Sequence, residues 1–252
     1  MKEQKQDMKL PKLDDLFTTQ EERDYAVAEK VQKINISDIS DFPEHPFKVN
    51  DDDKMKEMVK SVKEYGVILP VIVRPKENGT YEMISGHRRK RACELAGVKQ
   101  IRCIVKNLSD DEATILMVDS NIQREEILPS EKAFAYKMKL NAMKHQGKKI
   151  DIDEEETSTP VVAKLRTDEI LGEEVGESRE NIRRYIRLTE LIPELLEEVD
   201  NKRIAFRPAV ELSYLSDENQ YVVLNKLEYD DISPSLSQAI VLKKMQQEGT
   251  IT

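Results

Sequence analysis

The segment Met83-Ile84-Ser85-Gly86-His87-Arg88-Arg89-Lys90-Arg91-Ala92 constrains this chain more than any other. A short apolar strand meets a glycine and passes directly into a helix whose first turn carries three arginines and a lysine. The first amides of a helix have no carbonyl to bond, and the backbone dipole makes that end partly positive. Cations there oppose the dipole, and such a start more usually carries Asp or Glu. A bound anion resolves the conflict: the free N–H groups point at it, and guanidinium groups fork onto phosphate oxygens. The segment therefore reads as a phosphate site on a strand–glycine–helix unit.

Around this unit the apolar pattern switches between periods of two and of 3.6 residues. Residues 34–37 alternate as a strand, and residues 51–65 put Met55, Met58, Val59, Val62 and Tyr65 on one helical face, closed by Gly66. Val71-Ile72-Val73 is a strand, Asn78-Gly79 a hairpin turn, and Tyr81 to Ser85 the returning strand. The basic helix runs from His87 to Ala96 and stops at Gly97, and residues 101–105 make another short strand. From Ser109 onward the strands disappear. Ser109-Asp110-Asp111-Glu112 is a capping box opening a helix toward Gln123. Pro129-Ser130-Glu131 opens a long helix to about His145, with Gly147 behind it. Residues 146–160 are acidic and read as a flexible connector; all that follows is helical, interrupted at Pro193, Pro208 and Pro234. The expected fold is an α+β N-terminal domain over 31–125 and an all-α domain over 126–252. Residues 1–30 read as a mobile tail with a short helix near 21–30.

A second constellation lies at 167–188. Thr167 is positioned to cap a helix containing Ile170, Leu171 and Val175, Gly176-Glu177 makes a tight turn, and Ser178 caps a second helix through Leu188. Ile182 and Ile186 face inward beside Tyr185, while Arg179, Arg183 and Arg187 form an i, i+4, i+8 stripe next to Arg184. Like charges so stacked cost an isolated helix a few tenths of a kcal/mol per pair. A polyanion laid along them turns that cost into affinity. The pair of helices fits a helix-turn-helix whose second helix enters the DNA major groove. Arg179, Asn181 and Arg183 are candidates for base edges; Ser178, Arg184 and Arg187 are candidates for phosphate contacts.

Charge distribution agrees with two separate anionic ligands. The net charge is −9, which argues against indiscriminate coating of nucleic acid. Yet residues 86–106 carry seven Lys/Arg against the single acid Glu94, and a second arginine cluster lies at 179–187. No apolar run reaches the length of a membrane span and the N-terminus lacks a signal-peptide core, so the expected location is the cytoplasm, on nucleoid or plasmid. Cys93 and Cys103 lack metal-ligand spacing and read as small apolar packing residues, and His45, His87 and His145 are too scattered for a zinc site.

These features, in this order, resemble the ParB family of DNA partition proteins. The run Pro43-Glu44-His45-Pro46-Phe47-Lys48-Val49 is similar to that family's first box, usually Asn-Pro-x-Gln-Pro-Arg; Lys48, Val49 and Asn50 stand where Gln-Pro-Arg would be. Gly86 to Ala92 is similar to its Gly-Glu-Arg-Arg-x-Arg-Ala box, and Ser120-Asn121-Ile122-Gln123-Arg124 to its Glu-Asn-x-Gln-Arg box. The resemblance covers about residues 31–245. It implies a CTP-binding clamp on double-stranded DNA, loaded at a centromere-like site through the helix-turn-helix. Carried over by position, Gly86, His87, Arg88, Arg89, Arg91 and Arg124 hold the nucleotide, and Asn121 with Ser120 holds Mg²⁺. A nucleotide-dependent homodimer and a ParA-type ATPase partner are implied as well.

Departures from the pattern change the expected chemistry. His87 replaces the Glu associated with hydrolysis and Ser120 a Glu associated with metal handling, so CTP hydrolysis is expected to be weak or absent. Among so many cations the His87 pKa is expected to fall. The chain stops at Thr252, soon after the last helix, where typical members carry a dimerisation domain; either the chain is a shortened form or it dimerises by other means, with nucleotide-dependent self-association through the N-terminal half as the main route left. Two alternatives share the scaffold. One is an operator-binding transcriptional or nucleoid-associated regulator; the other, less favoured, is a ParB-related small-molecule kinase, with Glu82 or Asp119 as its base. Ser85-Gly86-His87-Arg88 is also similar to the sulfiredoxin loop, but the reactive cysteine is missing there.

Overall fold

The computed structural model describes residues 31–124, 126–153, 160–230 and 232–250, with side chains given outside 147–166. The tail over 1–30, with its expected helix, lies outside the described residues. Five strands, β1 (Val31–Asn35), β2 (Ile39–Ser40), β3 (Val71–Pro75), β4 (Tyr81–Ser85) and β5 (Gln100–Val105), form one mixed sheet among the described residues, in the order β1-β5-β3-β4-β2. β1 lies antiparallel to β5, with Val31 opposite Ile104; β5 runs parallel to β3; β4 is antiparallel to β3 and parallel to β2. The β3–β4 hairpin turns at Asn78-Gly79, where the Asn78 side chain accepts from the Thr80 amide at 3.0 Å and Gly79 takes φ 80°.

Alternation along these strands covers both faces of the sheet. Val71, Val73, Met83, Ile101 and Cys103 point to one side and pack with Met55 and Val62 of α1 (Asp53–Tyr65) and with Ala92 and Cys93 of α2 (His87–Ala96). Ile84 and Ile72 point to the other, against Phe42, Phe47, and Ala113, Met117 and Val118 of α3 (Asp110–Ile122). Both cysteines are buried and free, and burial pushes the Cys103 thiol up to about 11, so they serve as apolar packing groups. The capping box at Ser109–Glu112 forms as expected, and Asp52 caps α1, its carboxylate accepting from the Met55 amide at 2.7 Å.

A helical layer follows: α4 (Pro129–Asp153), α5 (Pro160–Val175), α6 (Arg179–Arg187), α7 (Pro193–Asp200), α8 (Phe206–Leu212), α9 (Asp217–Asp230) and α10 (Leu236–Glu248). α4 ties the molecule together. Its Ala135 joins the sheet core, its Tyr136 and Leu140 pack with Leu171 of α5 and Ile182 of α6, and its Ala133 joins the core of α7–α10 around Leu195, Leu212 and Leu227. Each such buried leucine contributes about 1.5–3 kcal/mol relative to an exposed one. Lys139 of α4 is buried and paired with Asp119 of α3 at 2.5 Å and Glu174 of α5 at 2.6 Å, linking the two halves electrostatically.

Four local expectations are corrected. Ile36 and Ser37 lie in a 3-10 turn, Ile36–Asp38, because the Ile36 amide bonds the Lys99 carbonyl at 3.0 Å instead of extending a strand. Tyr65 is 68% exposed, beyond the reach of the sheet that buries Met55 and Val62. Gly147 does not end α4, which continues to Asp153; one helical glycine costs only about 1 kcal/mol. The connector is therefore helical up to Asp153 and described no further until Pro160. Thr167 does not cap a helix, since α5 already starts at Pro160, in the first position where proline is tolerated.

Candidate nucleotide and DNA sites

Gly86 sits between β4 and α2 with φ 111° and ψ 22°, a left-handed conformation that glycine adopts freely. A Cβ there would lie 2.5 Å from Val71 Cγ1, so the tight passage from sheet to helix needs glycine twice over. No side chain caps α2, and its first turn contains no acid. The first amides of the helix are thus left for an external acceptor.

Around that start the cations are gathered and partly paired. Arg88 bonds Asp52 at 2.9 Å and Arg91 bonds Asp51 at 2.7 Å, both carboxylates coming from the approach to α1. These bonds hold the two carboxyl groups below their usual range. Lys90 is buried and bonds Asp41 at 2.6 Å. Arg89 turns the other way, donating to the carbonyls of Leu69 at 2.8 Å and Pro70 at 2.7 Å. Arg124, from the end of α3, lies over the Phe47 ring at 5.5 Å and joins the group. Of the candidate nucleotide residues, His87 and Arg91 line one hollow beside α2, Gly86 and Arg88 lie at the helix start, Arg124 lies over Phe47, and Arg89 braces the loop before β3.

The floor of the hollow is a pair of imidazoles. His87 is 6% exposed and stacks on His45, ring centroids 3.8 Å apart. Burial, then His45, push the His87 pKa down to about 3; Asp41 opposes them, and Lys90 and Arg124 add smaller downward pushes. The expected fall is present, but burial rather than neighbouring cations is its main cause. His45 is also lowered by burial. A cavity of about 180 Å³ is lined by both rings and by Asp41, Val49, Lys90, Arg91 and Glu94. No individual role was assigned from the sequence to His45, Asp41, Lys90, Asp51 or Asp52; His45 and Lys90, each lying inside a recognised box, carried a signal that could have been used.

The third box does not make a metal cage of its own. Asn121 is buried, and its amide donates to the Met117 carbonyl at 2.8 Å; the Ser120 hydroxyl donates to the same carbonyl at 2.9 Å. These two neutral groups are adjacent and already bonded to their own helix. Among the described residues, no group of three His, Cys, Asp or Glu side chains is placed to hold a metal ion. Hard Mg²⁺ prefers carboxylate and phosphate oxygens, so this donor set alone does not fit it.

In the second constellation, α5 and α6 meet through a turn that glycine makes possible. Gly176 takes φ 70°, and a Cβ on Gly172 would lie 2.7 Å from the Glu177 carbonyl oxygen. Gly172 went unnoticed in the sequence because a glycine inside a helical pattern gives no local turn signal. Ser178 caps α6, its hydroxyl accepting from the Asn181 amide at 3.2 Å. Ile182 is fully buried, which orients the helix. The stripe is not free of acids, as its sequence suggested: Arg179 pairs with Glu169 at 3.0 Å and Arg183 with Asp168 at 3.0 Å, both acids coming from α5. Asn181 bonds Glu177 at 2.5 Å, and Arg184 lies 3.4 Å from Glu180. Arg187 is turned inward, donating to the Ser213 carbonyl at 2.6 Å and lying over Tyr214 at 4.1 Å.

An α/β domain with an uncapped basic helix start, joined to a helical domain with a helix-turn-helix, defines a class that comparison with known proteins names. Residues 20–122 match the ParB N-terminal domain and residues 152–245 match the ParB HTH domain. A nucleoid occlusion protein of Listeria monocytogenes is 34% identical over 196 residues, covering 78% of this chain and 61% of that protein. A nucleoid occlusion protein of Geobacillus is 30% identical over 219 residues, covering 86% of this chain and 70% of that protein. A solved Pnob8-like ParB-N domain, 16% identical with a TM-score of 0.53, covers 88% of this chain and 98% of that one and shares the fold. The chain belongs to the ParB family, and its match spans 61% of the length of the Listeria relative. No helix among the described residues is long and apolar enough to cross a membrane.

Proposed function

We propose that this chain acts in DNA segregation, binding CTP at the α2 start and a centromere-like duplex site through α5 and α6. The observation that carries the reading is the uncapped α2 start at Gly86, with Arg88 and Arg91 paired to exposed carboxylates and a hollow along the same helix lined by His87, Lys90 and Arg91. A nucleotide phosphate would displace Asp51 and Asp52 from exposed arginine pairs. Such pairs contribute little net stability, and the bonds an anion makes replace them. The family relation supports the DNA site, and the outward guanidinium groups of Arg179, Arg183 and Arg184 supply its charge.

The resemblance extends the proposal to a homodimer that closes through the N-terminal halves when CTP binds, to a ParA-type ATPase partner, and to a position on nucleoid or plasmid. Hydrolysis is slow, because a buried neutral imidazole at position 87 does not orient water as a carboxylate does. Any Mg²⁺ enters with the nucleotide phosphates. Site-specific cross-linking of cysteine variants, with and without CTP and candidate DNA, tests the proposal. Cross-links between two N-terminal halves are expected only with CTP; equal cross-linking without nucleotide, or no CTP binding by calorimetry, overturns it.

A further inference from the structure

His87 is more than nine-tenths buried, and neither of its ring nitrogens has a hydrogen-bond partner in the protein; His45 Nε2 is likewise buried and unpartnered. Three polar nitrogens gathered at one small cavity are costly unless something outside the protein's own bonds satisfies them. The tautomer of His45 says what that can be. His45 Nδ1 lies 2.8 Å from the Phe47 carbonyl oxygen, which can only accept, so Nδ1 carries the proton and Nε2 of the neutral ring is a bare lone pair. A lone pair repels a phosphate oxygen. Nε2 can bond one only after gaining a proton.

We propose that His45 and His87 form a paired-imidazole contact for the triphosphate of the bound nucleotide, and that the pair captures one proton as the nucleotide binds. The proposal rests on the reading of the α2 start as a nucleotide site. The rings are stacked too closely for both to be charged, with centroids 3.8 Å apart. The groups facing the pair are Asp41 and Glu94 on the acidic side, and Lys90, Arg91 and Arg124 on the basic side; His45 also borders a second cavity that carries Glu44, Glu197, Asp200, Lys48 and Lys137. Asp41, bonded to Lys90 at 2.6 Å, favours an imidazolium, but in the free protein burial and the facing His45 ring outweigh it at His87. Burial and the cations keep both rings neutral there. A triphosphate brings several negative charges into the same hollow and reverses that balance. One ring then charges, and the pair presents an added N–H donor to the ligand.

The chain has three histidines, so H145Q leaves only this pair in a ring-nitrogen NMR spectrum. Without nucleotide, both rings are expected to remain neutral near pH 6.5; with saturating CTP, one is expected to become protonated. Calorimetry gives an independent reading. From about pH 8 to 6, the affinity of wild type for CTP should rise faster than that of the double variant H45Q/H87Q, by up to about tenfold more per pH unit for one captured proton. The γ-phosphate's own titration is common to both proteins and cancels. Unchanged ring nitrogens at CTP saturation, or parallel pH profiles, overturn the proposal while leaving the nucleotide site intact. No CTP binding by folded wild type overturns both. Should H45Q/H87Q not fold, the spectrum of the H145Q protein decides alone.

Discussion

α2 and α6 both begin after a glycine turn, and both carry arginine through their first two turns, but they solve the same electrostatic problem in opposite ways. α6 is closed by its own sequence: Ser178 takes the Asn181 amide, and acids from α5 neutralise Arg179 and Arg183 on an outward face. α2 has no cap and no acid in its first turn, and Lys90 and His87 are buried beneath it. A concave, uncapped start suits a compact polyanion that can reach amides and guanidinium groups together. A convex, capped stripe suits an extended one, which exchanges each arginine's carboxylate for a phosphate. Two basic helices thus need not share a ligand, and capping distinguishes them better than charge does.

The largest test of that contrast is the double substitution Arg88→Ala, Arg89→Ala. It is expected to reduce CTP binding below detection in calorimetry while mobility-shift titrations with specific DNA remain close to wild type. Loss of both activities in a folded protein would mean that the two helices serve one ligand. The next test concerns the glycines. Gly86→Ala combines a left-handed backbone with a clash on Val71 and should destabilise by about 2–5 kcal/mol in urea unfolding. Gly172→Ala has only the Glu177 carbonyl to displace and should cost about 1–3 kcal/mol. A smaller loss at Gly86 than at Gly172 would mean that the α2 start is less constrained than its geometry implies.

Acid provides a related measurement. The folded pKa of His87, about 3, lies below its ordinary value of 6.5, so the native state binds fewer protons than the unfolded chain. Its contribution is full above pH 6.5 and is lost progressively as pH falls toward 3. H87Q should flatten this part of the stability profile. A variant as acid-sensitive as wild type would place the titrating group elsewhere.

What the sequence disclosed, and what it hid, follows the range of the interactions. The α1 face up to Val62, the Asn78-Gly79 hairpin and the caps at Ser109 and Ser178 rest on local spacing, and they formed as expected. Position 86 was legible because strand, glycine and basic helix are contiguous. The His45–His87 stack, the Lys90–Asp41 bond and the Arg183–Asp168 pair join residues 42, 49 and 15 apart, and no periodicity encodes them. The acids that neutralise α6 were in plain view on α5, but only the angle set by Gly172 brings them across the turn.

Arg183→Ala probes the convex side of the comparison. If Arg183 reads a base edge, specific binding weakens by about 1–3 kcal/mol and discrimination relaxes at one position. Arg184→Ala should weaken binding to all duplexes alike and reduce the salt slope by about one, as a phosphate contact does. Arg183 also holds Asp168, whose side chain is nearly buried, so Arg183→Ala should lower stability where Arg184→Ala does not. Equal effects of the two substitutions on specificity would erase the distinction between base and phosphate contacts on α6.

The smallest expected effect is the most discriminating for the concave side. Asp51 is exposed and bonds Arg91, while Asp52 both bonds Arg88 and caps α1. Removing charge at Asp52 therefore disturbs a helix; removing it at Asp51 does not. Asp51→Asn should leave thermal unfolding unchanged within measurement error, since a solvent-exposed pair contributes little. Yet it removes an anion that competes for Arg91, so CTP should bind somewhat tighter, and less so at high salt where the competition is already screened. Unchanged affinity at low salt would remove Arg91 from the phosphate contacts. Weaker binding would mean that Asp51 itself takes part in holding the ligand, and that the carboxylates ringing α2 belong to the site rather than standing in for the nucleotide.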